Sequence, residues 1–196
     1  PRFATPCVAQ IDFVESAVAV GLDHTVTYGE TFQAFWPLFY PQGLVYQQRN
    51  MGNGAAVADY DADGDLDVYL SSQLDIPNAL FQNQLVETGQ LQFADVAASA
   101  GVANLGHTHI PFFADLDNDG WLDLILANDT VTGGTHAPSA IYENQEDGTF
   151  ADVTALSGFA PLGHIKGGLG LTVHARDWLL DMYITSWKGG PYGTRA

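Results

Sequence analysis

The sequence contains two short runs in which alternate residues are mostly aspartate. Residues 59–67 hold five aspartates, residues 115–123 hold four, and the two runs begin 56 residues apart. Carboxylates this close together repel one another unless a cation lies between them. Because the same acidic pattern occurs twice, it favours two cation-binding loops over two solvated acidic turns.

The aspartates of each run stand where a calcium loop needs oxygen ligands. They occupy positions 1, 3, 5 and 9, a glycine at position 6 permits a sharp turn, and position 7 can offer its backbone carbonyl. Calcium takes roughly six to eight oxygen ligands, whereas magnesium keeps more of its water. The predicted calcium ligands are Asp59, Asp61, Asp63, Asp65 and Asp67 in the first loop, and Asp115, Asp117, Asp119, Trp121 and Asp123 in the second.

The residues around these loops predict strands rather than helices. An EF-hand requires a glutamate at position 12, where this sequence has Leu70 and Leu126. Bulky apolar residues alternate with other residues along 66–70 and 122–126, which is the period of a strand. Each acidic loop is therefore predicted to join two strands.

Two further motifs recur with the acidic loops. One runs from a phenylalanine to a glycine eight residues later, in copies at 13–21, 93–101 and 150–158. Another lies upstream of it, at 77–83 and 138–144. Each period thus holds about four short strands, which predicts a blade of a β-propeller and an all-β fold of about three such blades.

A third acidic loop is degenerate. Residues 180–184 match 66–70, but only two carboxylates remain at the loop positions before them. The positions equivalent to 1, 3, 5 and 9 are Val173, Ala175, Asp177 and Asp181. We predict that this loop holds no ion or holds one weakly.

Residues 54–67 resemble the FG-GAP/VCBS repeat of integrin-α-like β-propellers. With the motifs at 78–83 and 93–97, the chain is most similar to cartilage-acidic-protein-like and ASPIC/UnbV-type proteins. The resemblance covers about residues 11–190. It implies that the aspartates of the two intact loops bind calcium, and that a propeller of about seven blades mediates extracellular contacts.

The repeats predict a partial propeller, with repeat motifs at about residues 11–77, 78–138 and 139–196. Three repeats are fewer than a closed propeller needs, so we expect another protein chain, or the remainder of a longer chain, to complete it. The first repeat carries an aromatic-rich insertion at about 23–50. This insertion forms either a recognition surface or a satellite cluster over one propeller face.

The net charge argues against two classes of binding partner, and the single cysteine and one pair of histidines are further candidate functional residues. With 23 acidic residues against 6 Lys and Arg, a net charge of −17 argues against nucleic-acid and anionic-lipid partners. Cys7, the single cysteine, is a small apolar residue or an intermolecular attachment point. His107 and His109 share one strand face but have no third ligand nearby in sequence, which favours ordinary polar packing.

The resulting expectation is an extracytoplasmic calcium-binding segment for protein–protein interaction, adhesion or assembly, located extracellularly, at the cell surface or in the periplasm. The alternatives are a carbohydrate-binding module with a glycan partner, or the propeller part of a sugar- or polysaccharide-modifying enzyme. The sequence shows neither a nucleophile elbow nor a phosphate loop, so we predict no catalytic residues and no organic cofactor. No apolar run approaches the ~18 residues of a transmembrane helix, so we predict no membrane span.

Overall fold

The computed structural model describes residues 16–24, 53–73, 75–129, 138–158, 171–175 and 180–184. Within these ranges the protein is all-β, with ten strands and two single-turn helices, η1 (a 3₁₀ helix) and α1. The elements are η1 Val18–Val20, β1 Ala55–Ala58, β2 Asp67–Leu70, β3 Ala79–Asn83, α1 Leu85–Thr88, β4 Phe93–Asp95, β5 His107–Ala114, β6 Asp123–Asp129, β7 Ala140–Asn144, β8 Phe150–Asp152, β9 Leu171–Ala175 and β10 Leu180–Ile184.

The strands form two antiparallel four-stranded sheets and a hairpin. The sheets have the sequential orders β1-β2-β3-β4 and β5-β6-β7-β8, and β9 pairs with β10. Each acidic run connects the first two strands of a sheet, because Ala58 pairs with Asp67 and Ala114 pairs with Asp123. The predicted unit of four short strands with the acidic loop between strands one and two is therefore confirmed, and it is the unit of a propeller blade.

The two sheets share one apolar core. Tyr69 and Leu80 of the first sheet and Leu124 and Leu126 of the second are fully buried in the same cluster. The residues that alternate with these along the strands, such as Ile125, are buried on the other face of the second sheet. Both faces of β6 are thus excluded from water, as expected for a blade with neighbours on two sides. Strand β5 contacts β1 and β9, so the first strands of successive repeats are neighbours.

The glycines that end the Phe-to-Gly motif have one backbone conformation. Gly21, Gly101 and Gly158 have φ of 87°, 80° and 76°, a left-handed region that disfavours residues with a side chain. A Cβ on Gly21 would lie 2.5 Å from the carbonyl oxygen of Phe93, and one on Gly101 would lie 3.2 Å from that of Phe150. The end of the first motif and the end of the second thus each pack against the start of the next copy, so for these two copies the sequence repeat is also a repeat of contacts.

Several sequence predictions fall on parts of the chain that the structure does not describe. These are the predictions for Cys7, for the aromatic-rich insertion beyond residue 24, and for Asp177 of the third loop. The repeat boundaries near residues 77 and 138 stay predictions. Among the described residues, no helix has the length and apolar character to cross a lipid bilayer.

Candidate metal centre

The two acidic loops turn in the same way. Gly64 has a φ of 104° and Gly120 a φ of 97°, so both sharp turns use the conformation for which glycine was predicted. The Gly64 N–H donates to Asp59 Oδ2 at 3.1 Å, and the Gly120 N–H donates to Asp115 Oδ2 at 3.1 Å. In both loops, the aspartate at position 1 therefore stabilises the turn by accepting a hydrogen bond from the turn glycine.

A second hydrogen bond is also common to both loops. The Asp65 N–H donates to Asp63 Oδ1 at 2.9 Å, and the Trp121 N–H donates to Asp119 Oδ1 at 2.8 Å. Position 5 thus uses one carboxylate oxygen to hold the backbone of position 7. The other oxygen of position 5 is left for a ligand.

The turns bring carboxylates together at both sites. In the first loop, Asp59, Asp61 and Asp67 each offer an oxygen within 4.8 Å of the others. In the second, the corresponding group is Asp115, Asp117 and Asp119. Asp123, the position-9 residue of the second loop, is outside that group, so the two centres differ in geometry.

Several of these oxygens are buried and accept no hydrogen bond. A buried acceptor without a donor is rare and unfavourable in a folded protein. The affected atoms are Asp59 Oδ1, Asp61 Oδ1, Asp63 Oδ2, Asp65 Oδ1 and Asp115 Oδ1. A hard cation among the carboxylates would satisfy such oxygens, so the residues present fit calcium.

The position-9 aspartates connect each loop to the third strand of its sheet. Buried Asp67 accepts hydrogen bonds from the Tyr60 N–H at 3.2 Å and the Asn83 N–H at 2.8 Å. Asp123 accepts the equivalent bonds from the backbone of Leu116 and of Asn144. Both carboxylates brace their loops, and Asp67 also belongs to the carboxylate group of the first loop.

Burial raises the pKa of three of these carboxylates and so disfavours their ionised form. Burial raises the pKa of Asp67 to about 7; the bonds from Asn83 and Tyr60 oppose this, while Asp61 and Asp65 add to it. Burial is also the main cause of the raised pKa of Asp61 and of Asp123. Each of these sites therefore favours a proton or a metal ion over bare negative charge.

Four residues at this site were not predicted from the sequence: Asn83, Asn144, Gln82 and Glu87. Asn83 and Asn144 end the motif that lies upstream of the Phe-to-Gly motif, so their matching offsets were a usable signal. Gln82 donates from Nε2 to Asp61 Oδ2 at 2.6 Å. Glu87 offers an oxygen within 4.8 Å of those of Asp61 and Asp63. Neither of these last two contacts has a counterpart in the second repeat that could have revealed it.

The histidine pair lies at the end of the blade away from the acidic loops. His107 and His109 are brought together on β5, with ring centroids 4.3 Å apart and a tilt of 57°. A register shift between Thr108 and Ile110 places a β-bulge beside them. Within the described ranges, every group of three potential metal ligands consists of acidic residues.

Comparison with protein families gives one match. Residues 59–126 match the FG-GAP-like repeat family, over about a third of the chain. The match begins at the first aspartate of the first loop and ends within β6, so it contains both acidic loops. No curated protein shows significant sequence similarity to the chain. The match supports the FG-GAP resemblance and agrees with a propeller-type interaction module.

Proposed function

We propose that this chain is a calcium-binding β-propeller segment that serves as an interaction, adhesion or assembly module outside the cytoplasm. The observation that carries the proposal is the set of buried, unpartnered carboxylate oxygens in both acidic loops, as at Asp59, Asp61 and Asp115. The two loops share the glycine turn and the hydrogen bonds at positions 6 and 7, which supports one function for both.

The chemistry of the donors favours calcium. Every side-chain donor in the three-residue groups is a carboxylate oxygen, which suits a hard divalent cation rather than a softer metal. The close packing of several carboxylates favours calcium over magnesium, which dehydrates reluctantly. Two calcium ions would change the formal charge from −17 to −13 and relieve repulsion in both loops.

The proposed location follows from the calcium concentration that sites of this kind require. Extracellular calcium modules have dissociation constants of roughly 10⁻⁴–10⁻³ M, which calcium outside the cytoplasm would satisfy. We therefore place the protein extracellularly, at the cell surface or in the periplasm. Its proposed partner is another protein chain, or further sequence of the same chain, that supplies the remaining blades.

The proposed relationship within the repeat family rests on sequence motifs. The strand motif at 78–83, followed by the motif at 93–97, is the feature shared with the cartilage-acidic-protein-like and ASPIC/UnbV-type branch. In the fold these two motifs form β3 and β4, the outer half of the first blade.

Titration calorimetry of the whole chain with calcium tests this function. We expect two sites, of which Asp61→Ala removes one and Asp117→Ala removes the other. Asp147→Asn is the matched control, because it removes a carboxylate from the exposed β7–β8 turn, outside the metal groups. Unchanged stoichiometry in both alanine variants would show that the loops are not calcium sites.

A further inference from the structure

The two complete blades differ in the connection between their third and fourth strands. Residues 84–92 join β3 to β4, whereas only residues 145–149 join β7 to β8. The longer connection forms α1 and lies against the first acidic loop. The Val86 N–H donates to Asp65 Oδ2 at 3.0 Å, and this bond holds α1 beside the loop.

This connection brings a glutamate to the edge of the first loop. Glu87 on α1 offers a carboxylate oxygen within 4.8 Å of oxygens from Asp61 and Asp63. Asp61 also belongs to the group with Asp59 and Asp67, so it joins Glu87 to the predicted calcium ligands. In the second loop, the described residues provide only a group of three aspartates, with none from the β7–β8 turn.

A separate observation also indicates a cation on this side of the loop. Asp65 is 8% exposed, and its Oδ1 is buried without a hydrogen-bond donor. Its other oxygen accepts from Val86, so the carboxylate faces the helical turn that carries Glu87. The equivalent residue in the second loop is Trp121, which has no carboxylate.

The electrostatics of Glu87 agree with this geometry. Its carboxylate lies beside those of Asp61 and Asp63, so like charges face one another at the edge of the loop. A surface glutamate in contact with two aspartates is unfavourable unless a proton or a cation lies among them.

We propose that Glu87 is an additional ligand of the cation in the first loop, and that it makes this loop the tighter of the two calcium sites. The inference rests on the calcium-binding function proposed above. Calcium accommodates a further carboxylate readily, and the number of charged ligands tunes the affinity of a calcium loop. Glu87 would therefore distinguish two loops whose own turns are alike.

The test is calcium titration of the whole chain in the Asp117→Ala background, where only the first loop remains competent. Adding Glu87→Gln should weaken calcium binding about 10-fold or more, the range seen when groups supporting a metal are removed. Glu87→Asp retains the charge but shortens the side chain, so coordination predicts a loss there too. Glu146→Gln, in the β7–β8 turn, is the control and should leave the affinity unchanged.

The outcomes separate this inference from the proposed function. Normal calcium affinity in Glu87→Gln would overturn the role of Glu87 while leaving calcium binding intact. Wild-type affinity in Glu87→Asp would also overturn it, because charge alone would then account for the effect. Absence of calcium binding in the unmutated chain would overturn both. Glu87 is exposed, so cooperative melting in chelator, at a temperature no lower than that of the unmutated chain, should verify that these variants fold.

Discussion

At the residue scale, Asp67 should give the cation-free protein an inverted pH dependence. Its pKa is about 7 in the folded chain, against 3.8 as its ordinary value. Between these values the folded state binds more protons than the unfolded state, so stability falls as pH rises from about 4 to about 7. We expect the melting temperature in chelator to be a few degrees higher at pH 5 than at pH 8, since about 1 kcal/mol shifts it by roughly 2–4 °C.

Calcium should reverse this trend, because the ion binds the ionised carboxylate and competes with the proton. The increase in melting temperature on adding calcium should therefore be larger at pH 8 than at pH 5. A melting temperature in chelator that rises steadily from pH 5 to pH 8 would contradict the assignment of a raised pKa to buried Asp67.

The candidate site was only partly predictable residue by residue. The aspartate offsets predicted where the carboxylates gather, because a tight turn forces alternate side chains inward. The bracing bonds of Asn83 and Asn144 depend on strand pairing, which a repeated motif can reveal. Glu87 reaches the loop only through the extra length of one connection, so no periodic pattern in the sequence contains that contact.

At the element scale, the glycines that end the two short helical turns offer a matched test. Gly21 and Gly89 both follow a helical turn and have φ of 87° and 72°. A Cβ on Gly21 would lie 2.5 Å from the backbone oxygen of Phe93, whereas a Cβ on Gly89 meets no described atom within 4 Å. Gly89→Ala should cost about 1 kcal/mol of unfolding free energy, from backbone conformation alone.

Gly21→Ala should cost roughly 1–3 kcal/mol more, because the Phe93 backbone has to move. Chemical denaturation of both variants with calcium present measures the difference. Equal losses of stability would mean that the Phe93 backbone accommodates the added Cβ at no cost, so the close approach of the Gly21 turn to β4 is not required.

The elements themselves show where sequence patterns succeed and fail. Period-two alternation predicted β2 and β6, and the repeated motifs predicted β3, β4, β7 and β8. The bulge in β5 was not predicted, because nothing in the alternation marks the point where Thr108 and Ile110 shift register. Helix α1 was not predicted either, since a single turn carries no periodic signal and its position depends on hydrogen bonds to the first loop.

At the scale of the whole molecule, Asn144 connects the two blades. Its Nδ2 donates to the carbonyl of Tyr60 in the first loop at 2.8 Å and to that of Leu122 in its own loop at 3.1 Å. The Tyr60 ring stacks on Phe150 with centroids 5.7 Å apart, so polar and aromatic contacts join the first loop to the second blade. Part of the coupling between the blades therefore lies beside the proposed calcium site.

The equivalent residue of the first blade is the natural control for this coupling. Asn83 braces its own loop through the Leu66 carbonyl, and Asn144 does the same through that of Leu122. Among the described residues, only Asn144 of the two also donates to a neighbouring blade. Asn144→Ala would leave the Tyr60 carbonyl without its donor, at a cost of roughly 1–3 kcal/mol beyond that of Asn83→Ala. Denaturant unfolding of both variants in calcium measures this difference, and in Asn144→Ala we further expect weaker calcium binding at the first loop. Equal destabilisation together with unchanged calcium affinity would show that the bond from Asn144 to Tyr60 does not couple the blades.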